Sequence, residues 1–283
     1  MARTSTPKPR PHPLSPSPHG GEGERKVSSS SPLSTKWRGG QGVRTKFTRR
    51  LLAWWARAAR DLPWRKTRDP YRVLVSEFML QQTQVSRVAE YYPRFLERFP
   101  DLGTLARAPA RAVREAWDGL GYYARARNLH SLAKSVAGRG DAGKGVTGKG
   151  VAGDGVAALP DDPEELIKLP GIGPYTAGAV ASFAYEQPVP AVDTNVARVI
   201  TRVFLGNSRQ RLSGNRQRII WSLAASLVPK NGKRAWKFNQ AIMELGALVC
   251  KARAPNCREC PVQPVCKTGR RLGARQTSRR RDG

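Results

Sequence analysis

Four cysteines near the carboxyl end of the sequence have the spacing of metal ligands. They follow the pattern Cys-x6-Cys-x2-Cys-x5-Cys and are Cys250, Cys257, Cys260 and Cys266. Four cysteines this clustered are too few for a secreted disulfide scaffold, and four thiolates suit either tetrahedral zinc or an iron–sulfur cluster. Zinc modules usually pair two short Cys knuckles, whereas only one short pair is present here. The spacing therefore favours a [4Fe–4S] cluster, with zinc as the alternative.

Two carboxylates occupy positions that suit acid–base chemistry. Glu77 interrupts the apolar run from Tyr71 to Leu80, and burial would favour its protonated form, as a general acid requires. Asp193 directly precedes an apolar helical stretch, where a helix N-cap is the simpler interpretation. A surface position is likewise the simpler interpretation for Glu77. One neutral and one ionised carboxylate are also the pair that hydrolysis through an oxocarbenium ion needs.

A Gly-x-Gly turn joins two helix-like stretches in the middle of the sequence. The segment Leu-Pro-Gly-Ile-Gly ends with Gly171 and Gly173, and Pro174 then occupies a favourable first helical position. The free N–H groups of such a turn and helix start can hold a phosphate. A plain helical hairpin without a ligand is the alternative.

The charge balance indicates a polyanionic partner. The 283 residues include 50 Lys and Arg against 21 Asp and Glu, which gives a net charge of +29 and a pI near 11.1. Such a surplus is typical of proteins that bind nucleic acid. No apolar run approaches the roughly 20 residues that a membrane helix needs, so we expect no membrane association.

Apolar residues recur at helical spacing along most of the chain, and no useful period-two pattern is present, so we predict an all-α fold. We expect breaks at prolines, Pro93 among them. The predicted helices are 47–58, 71–82, 84–98, 110–118, 122–137, 162–168, 174–185, 194–205, 215–228 and 235–250.

Three segments lack this periodicity. Residues 1–45 are basic and rich in Pro and Ser, and we predict that they are disordered because they have too little apolar surface to bury. Residues 138–158 have glycine at almost every second position and are expected to form a flexible insertion. Residues 269–283 form a basic tail.

Together these motifs resemble the endonuclease III superfamily of helix-hairpin-helix DNA glycosylases, and within it the MutY-type adenine DNA glycosylases. The resemblance covers roughly residues 46 to 268 without the glycine-rich insertion. The segments that carry it are LPWR (62–65), DPYRVLVSEFMLQQTQV (69–85), WDGLGYYARARNLH (117–130), LPGIGPYTAGAVAS (169–182) and FNQAIMELGALVC (238–250).

The resemblance implies roles for individual residues. Glu77 would protonate adenine as the glycosidic bond breaks, and Asp193 would stabilise the oxocarbenium sugar. Tyr175 and Asn195 would line the catalytic pocket. The positions expected to contact the extruded adenine are Arg60, Trp64, Arg65 and Gln240. Gln82 and Tyr122 would push into the duplex, Gly171 and Gly173 would hold DNA phosphate, and the four cysteines would hold the cluster.

The resemblance also implies an architecture and a partner. A six-helix barrel domain (70–187, with the hairpin at about 163–185) would adjoin a cluster domain (46–69 and 188–268). Double-stranded DNA with an A:8-oxoguanine or A:G mismatch would bind in the cleft between them. We expect a monomer in the cytoplasm, associated with the nucleoid.

Two features of the sequence refine the expected activity. Bifunctional relatives carry a Schiff-base lysine where this sequence has Tyr175, so the resemblance implies a monofunctional glycosylase that leaves an abasic site. Relatives of the MutY type usually continue into a Nudix-like domain, whereas only 17 residues follow Cys266 here, so we expect that domain to be lacking. The alternatives are a thymine or uracil mismatch glycosylase and a non-catalytic DNA-binding module with an iron–sulfur cluster.

Overall fold

The helices lie where the periodicity of the sequence predicts them. The computed structural model describes residues 41–141, 158–206 and 216–270, and these ranges contain α-helices and no strand, which confirms the all-α fold. The helices are α1 (Gln41–Ala58), α2 (Pro70–Leu80), α3 (Val85–Arg98), α4 (Leu102–Arg107), α5 (Ala110–Ala116), α6 (Ala124–Asp141), α7 (Pro163–Leu166), α8 (Pro174–Phe183), α9 (Thr194–Ile200), α10 (Arg216–Leu227) and α11 (Gly232–Leu248).

Several predicted boundaries need correction. Helix α1 begins at Gln41, before the predicted end of the tail at residue 45, and α6 extends to Asp141, inside the predicted insertion. Helix α3 continues through Pro93, where a break was expected, because apolar residues on both sides of the proline, among them Val88 and Phe95, hold the helix in the core. The predictions for residues 1–40, 142–157 and 271–283 fall outside the described residues.

The described residues belong to one compact unit that contains two clusters of buried apolar side chains. The first cluster contains side chains from every helix from α2 through α8. The ring centres of Phe95 and Trp117 lie 5.6 Å apart there, in an edge-to-face contact. The second cluster contains side chains from α1, α9, α10 and α11, and the ring centres of Phe47 and Phe238 lie 6.4 Å apart in it. Trp64, assigned from the sequence to the cluster domain, packs in the first cluster instead.

Helix α2 is buried on nearly every side. The side chain of Asp69 caps it by accepting a hydrogen bond from the Arg72 amide, and Pro70 occupies the first turn. Its buried residues run without interruption from Val73 to Met79. A helix that is buried on nearly every side packs within the core, so Glu77, which lies within this run, is carried into the interior.

A glycine in α11 sets the position of the start of α9. A Cβ at Gly246 would lie 2.6 Å from the Cβ of Asn195, closer than two carbon atoms pack. Asp193 caps α9 by accepting a hydrogen bond from the Val196 amide at 2.7 Å. The absence of a side chain at position 246 therefore allows α11 to hold the first turn of α9 at a fixed distance.

We predict that Gly246→Ala destabilises the protein by about 1–3 kcal/mol, because the new methyl group overpacks the contact with Asn195. Helix propensity alone predicts the opposite effect, an increase of about 1 kcal/mol in the free energy of unfolding. Gly138→Ala in α6 is the matched control, since a Cβ there meets nothing within 4 Å. Urea unfolding of both variants measures the difference, and a Gly246→Ala protein at least as stable as the wild type would contradict the packing argument.

Candidate active site

A cleft of about 900 Å³ brings together most of the residues that the sequence singled out. Its lining includes residues from both apolar clusters. Nine of the twelve predicted catalytic and DNA-binding residues line it: Arg60, Trp64, Arg65, Glu77, Gln82, Tyr175, Asp193, Asn195 and Gln240. The other three, Tyr122, Gly171 and Gly173, lie outside this lining.

Glu77 is a buried carboxyl group that opens onto the cleft. It is 5% exposed, and the Tyr175 hydroxyl donates a hydrogen bond of 2.6 Å to its Oε2. Burial raises the pKa of Glu77 to about 7, the hydrogen bond from Tyr175 lowers it, and the charge of Asp193 raises it. A proton is therefore available on Glu77 near neutral pH, where a general acid is most effective.

Asp193 lies in the same cleft in a different environment. Burial raises the pKa of Asp193, while the Val196 amide and the side-chain amide of Asn195, which donates from 2.8 Å, act in the opposite direction. The position at the N-terminus of α9 also favours the ionised form. The helix cap expected from the sequence and the position in the cleft thus occur together in one residue.

Arg198 fixes the orientation of Asn195. Its Nη2 donates to Asn195 Oδ1 at 2.6 Å and to the Gly246 carbonyl at 2.8 Å, and its Nε donates to the Cys250 carbonyl at 2.8 Å. Since a guanidinium group only donates, Asn195 must present its oxygen to Arg198 and its NH2 group to Asp193. A chain of hydrogen bonds from the Cys250 carbonyl through Arg198 and Asn195 thus holds the carboxylate of Asp193 in place.

Glu244 is a functional candidate that the sequence analysis missed. It is 1% exposed and accepts hydrogen bonds of 2.8 Å from both Arg60 and Arg65. Burial opposes its ionisation, but the two arginines outweigh that effect and lower the pKa of Glu244 to about 2. The signal was available in the sequence, because Glu244 interrupts the apolar stretch of α11 as Glu77 interrupts that of α2.

This ion pair network presents the amide nitrogen of Gln240 to the cleft. Arg65 Nε donates to Gln240 Oε1 at 2.9 Å, so the NH2 group of Gln240 remains available as a donor. Arg60 and Arg65, predicted to contact a base directly, line the cleft and hold their guanidinium groups against Glu244. Trp64 lines the cleft but is mainly a core residue, 8% exposed and packed edge to face on Tyr92.

The two residues predicted to enter the duplex have the same unusual backbone conformation. Gln82, after α2, has φ of 56°, and Tyr122, before α6, has φ of 47°. Both side chains are exposed, Tyr122 by 60%. Left-handed conformations cost non-glycine residues of order 1–3 kcal/mol each and persist only where the surrounding structure enforces them.

The hairpin between α7 and α8 requires its first glycine. Gly171 has φ of +77°, and a Cβ there would lie 2.7 Å from the Cβ of Asn128. Gly173 caps α8 and has open space around it. The first N–H groups of α8 have no acceptor within the helix, which suits an anion such as phosphate.

The four cysteines line a separate small cavity with apolar residues of the second cluster. Two sulfur atoms already accept hydrogen bonds, Cys250 from Arg202 at 3.4 Å and Cys266 from the Gly269 amide at 3.3 Å. Within the described ranges, no group of three or more His, Cys, Asp or Glu side chains is arranged to hold a metal ion. The donor set, four soft sulfur ligands, fits an iron–sulfur cluster or zinc.

Comparison with known proteins shows which family the sequence matches. The family model described as HhH-GPD superfamily base excision DNA repair protein matches residues 75–224. The sequence is 41% identical to a rat protein named adenine DNA glycosylase, over 81% of this chain and 43% of the relative. It is 44% identical to a protein of the same name from Mycolicibacterium smegmatis, over 75% of this chain and 66% of the relative. The chain thus spans less than two thirds of the length of these relatives.

Solved structures of a thymine-DNA glycosylase and of endonuclease III have similar folds. A thermostable thymine-DNA glycosylase superposes with a TM-score of 0.69 and 30% identity, over 81% of this chain and 98% of the other. Endonuclease III in a non-covalent complex with DNA superposes with a TM-score of 0.63 and 25% identity, over 83% and 98%. Within the ranges described here, no helix is both long and apolar enough to cross a membrane.

We predict that Glu77 titrates near pH 7 and that Tyr175→Phe moves this titration to higher pH. The hydroxyl donates to the carboxylate and so stabilises the ionised form, which means that its removal raises the pKa of Glu77 further. Carbon-13 NMR of labelled glutamate side chains measures the titration, with Glu77→Gln to assign the signal. Glu244, ionised down to about pH 2, is the internal reference. A Glu77 signal that titrates near pH 4.5 would contradict this account.

Proposed function

This chain belongs to the HhH-GPD superfamily of base excision DNA repair proteins, and from that premise we propose that it is a DNA N-glycosylase specific for adenine. It releases adenine mispaired with 8-oxoguanine or guanine and leaves an abasic site. The observation that carries the proposal is the pair formed by Glu77 and Asp193, two carboxyl groups in one cleft. Burial raises the pKa of both, but Asp193 accepts hydrogen bonds from two amide groups at a helix start, whereas Glu77 accepts one from a tyrosine hydroxyl. The name shared by the relatives supports the choice of adenine.

The reaction requires the two carboxyl groups in different roles. Glu77 donates its proton to a ring nitrogen of adenine as the bond between C1′ and N9 breaks, so that the base leaves neutral. The positive charge that develops on the sugar is stabilised by the carboxylate of Asp193. Water then adds to C1′, and its proton passes to one of the two carboxylates. A thymine or uracil base has no basic ring nitrogen to accept a proton from Glu77.

Recognition of the base would come from Gln240 and the charged side chains beside it in the cleft. Gln240 presents an NH2 donor because Arg65 holds its oxygen, and adenine offers ring nitrogens as acceptors. Glu244 holds Arg60 and Arg65 in place, so we assign the three as a scaffold that orients Gln240. A glutamine fixed in this way would lose its hydrogen bond to a base that presents no acceptor at that point.

The DNA contacts lie around the mouth of the cleft. We assign phosphate binding to the hairpin with Gly171 and Gly173, and intrusion into the duplex to Gln82 and Tyr122. The glycosidic bond of a base inside a duplex is out of reach of the side chains in the cleft, so extrusion must precede chemistry. The net charge of +29 supplies the attraction to the DNA backbone. We propose that the protein acts as a monomer, on the nucleoid in the cytoplasm.

Tyr175 argues for base removal without strand cleavage. Its hydroxyl is engaged with Glu77, and a tyrosine at this position offers no amine for an imine with the sugar. We therefore propose a monofunctional enzyme. The abasic site would be left for a separate activity to process.

We assign the four cysteines to a [4Fe–4S] cluster. They line one cavity beside α9 and α11, and a bound cluster would serve there as a cross-link between the segment from Cys250 to Cys266 and the helices. We also retain the two-domain division, a barrel (70–187) and a cluster domain (46–69 and 188–268). The two apolar clusters support it, with the correction that Trp64 packs with the barrel.

A panel of mismatched duplexes tests the proposal. We predict alkali-labile product from A:8-oxoguanine and A:G duplexes, and none from T:G or U:G, because only adenine accepts the proton of Glu77. Denaturing gel electrophoresis after alkali treatment measures the product. Product from T:G or U:G alone would make the chain a pyrimidine mismatch glycosylase, and no product from any duplex would make it a binding module.

Asp193→Asn is the matched variant for the same panel. It keeps the shape of the cap and removes the charge that stabilises the sugar cation, so mismatch affinity should persist while excision falls by about a thousandfold or more. Gel shift and single-turnover kinetics measure the two effects separately. Excision at the wild-type rate would reduce Asp193 to a helix cap.

A further inference from the structure

The two loops that carry Gln82 and Tyr122 meet at one buried side chain. We name residues 81–84, between α2 and α3, the first wedge loop, and residues 117–123, between α5 and α6, the second wedge loop. Arg125 on α6 donates hydrogen bonds to both. We propose that Arg125 is a positioning residue that sets the spacing of the two wedge residues before DNA binds. This inference rests on the proposed function, which makes Gln82 and Tyr122 the residues that enter the duplex.

One terminal nitrogen of Arg125 serves α2 and the start of the first wedge loop. Its Nη1 donates to the carbonyls of Phe78 at 2.9 Å and Met79 at 2.7 Å, and also to the carbonyl of Gln81. The first two are carbonyls at the C-terminal end of α2, where a cation is favourable. Arg125 therefore ends the helix that carries Glu77 and directs the chain into the loop.

The other terminal nitrogen bridges the two loops. Arg125 Nη2 donates to Thr83 Oγ1 at 2.9 Å in the first wedge loop, and to the carbonyls of Leu120 and Gly121, both at 3.1 Å, in the second. Its guanidinium carbon lies 5.6 Å from the ring centre of Tyr122, within the range of a cation–π contact. Both neighbours of Gln82 and the residue before Tyr122 are thus bonded to one planar group.

This arrangement explains how a strained backbone persists in both wedge loops. The left-handed backbone at Gln82 and Tyr122 has to be enforced from outside. The bonds from Arg125 on either side of Gln82, and directly before Tyr122, supply that enforcement. The wedge residues are therefore held ready before DNA binds, and the cost of ordering them does not fall on the binding step.

Arg125 acts through the loops and does not bind phosphate itself. Its side chain is 7% exposed, and both terminal nitrogens are engaged by the six acceptors named above. It extends from α6, whose Leu129 and Leu132 are fully buried in the first apolar cluster. A lysine would keep the charge, but its single nitrogen cannot replace a fork that spans two loops.

The test compares a duplex that must be opened with one that is already weakened. Single-turnover excision is measured on adenine opposite guanine, and on adenine opposite a tetrahydrofuran abasic analogue, where no opposing base has to be separated. Arg125→Lys should slow excision from A:G by about tenfold or more, and from the abasic duplex by less than about threefold. A purely structural loss would slow both duplexes equally.

Two further variants complete the design. Thr83→Val removes one acceptor of the bridging nitrogen and keeps the test valid if Arg125→Lys does not fold; it should show a smaller effect, about threefold, on A:G alone. Arg127→Lys makes the same exchange at an exposed position two residues further along α6, and controls for an arginine-to-lysine change that leaves the wedge loops untouched. Thermal unfolding of every variant reports whether the fold is intact.

The outcomes separate this inference from the proposed function. Wild-type protein that releases no adenine from either duplex overturns the proposed function and with it the inference. If the wild type is active, equal slowing on the two duplexes by folded Arg125→Lys and Thr83→Val would make Arg125 a stability residue only. Wild-type rates in both variants would show that the wedge spacing does not depend on it.

Discussion

The fold buries the carboxyl group of Glu77 among apolar side chains, where its ionised form is unfavourable. The proposed chemistry depends on this burial, because it keeps a proton on Glu77. Helix α2 is apolar on nearly all sides, and the hydrogen bond from Tyr175 relieves only part of the desolvation. An acid whose pKa is raised from 4.5 to about 7 binds its proton more tightly in the native state than in the unfolded chain. Native stability therefore falls as pH rises through this window, by about 3 kcal/mol at most.

Three carboxyl groups share the cleft and are tuned by three different surroundings. Glu77 has one neutral donor and stays close to protonation, whereas Asp193 has a helix start and two amide donors. Glu244 has two arginines and is ionised at every physiological pH. The same functional group can thus serve as acid, as stabilising anion and as scaffold, because the number and charge of its donors differ.

Much of the fold was predictable because helical periodicity and caps are local signals. All ten predicted helices occur, and the predicted cap at Asp193 is present. Among the described residues, the one α-helix not predicted is α4, from Leu102 to Arg107. The extension of α1 back to Gln41 was missed because that segment has a composition typical of disorder.

The candidate site was only partly predictable, because its assembly depends on contacts between distant positions. Glu77 and Tyr175 are 98 residues apart in sequence, and the sequence does not reveal that one donates to the other. Arg125 resembles any other arginine of a basic helix until its acceptors are known. The left-handed backbone of Gln82 and Tyr122 is likewise set by tertiary contacts and carries no glycine or asparagine signal.

The central claim, that a proton on Glu77 drives base release, is tested most directly by the pH dependence of single-turnover adenine excision. With Asp193 ionised, as its role requires, the rate is expected to be level just below pH 7 and to fall about tenfold per pH unit above it, as Glu77 loses its proton. The fall should follow the titration of Glu77 itself. A rate that stays constant from pH 6 to about pH 9 would contradict the account, since the ionised carboxylate would then serve equally well.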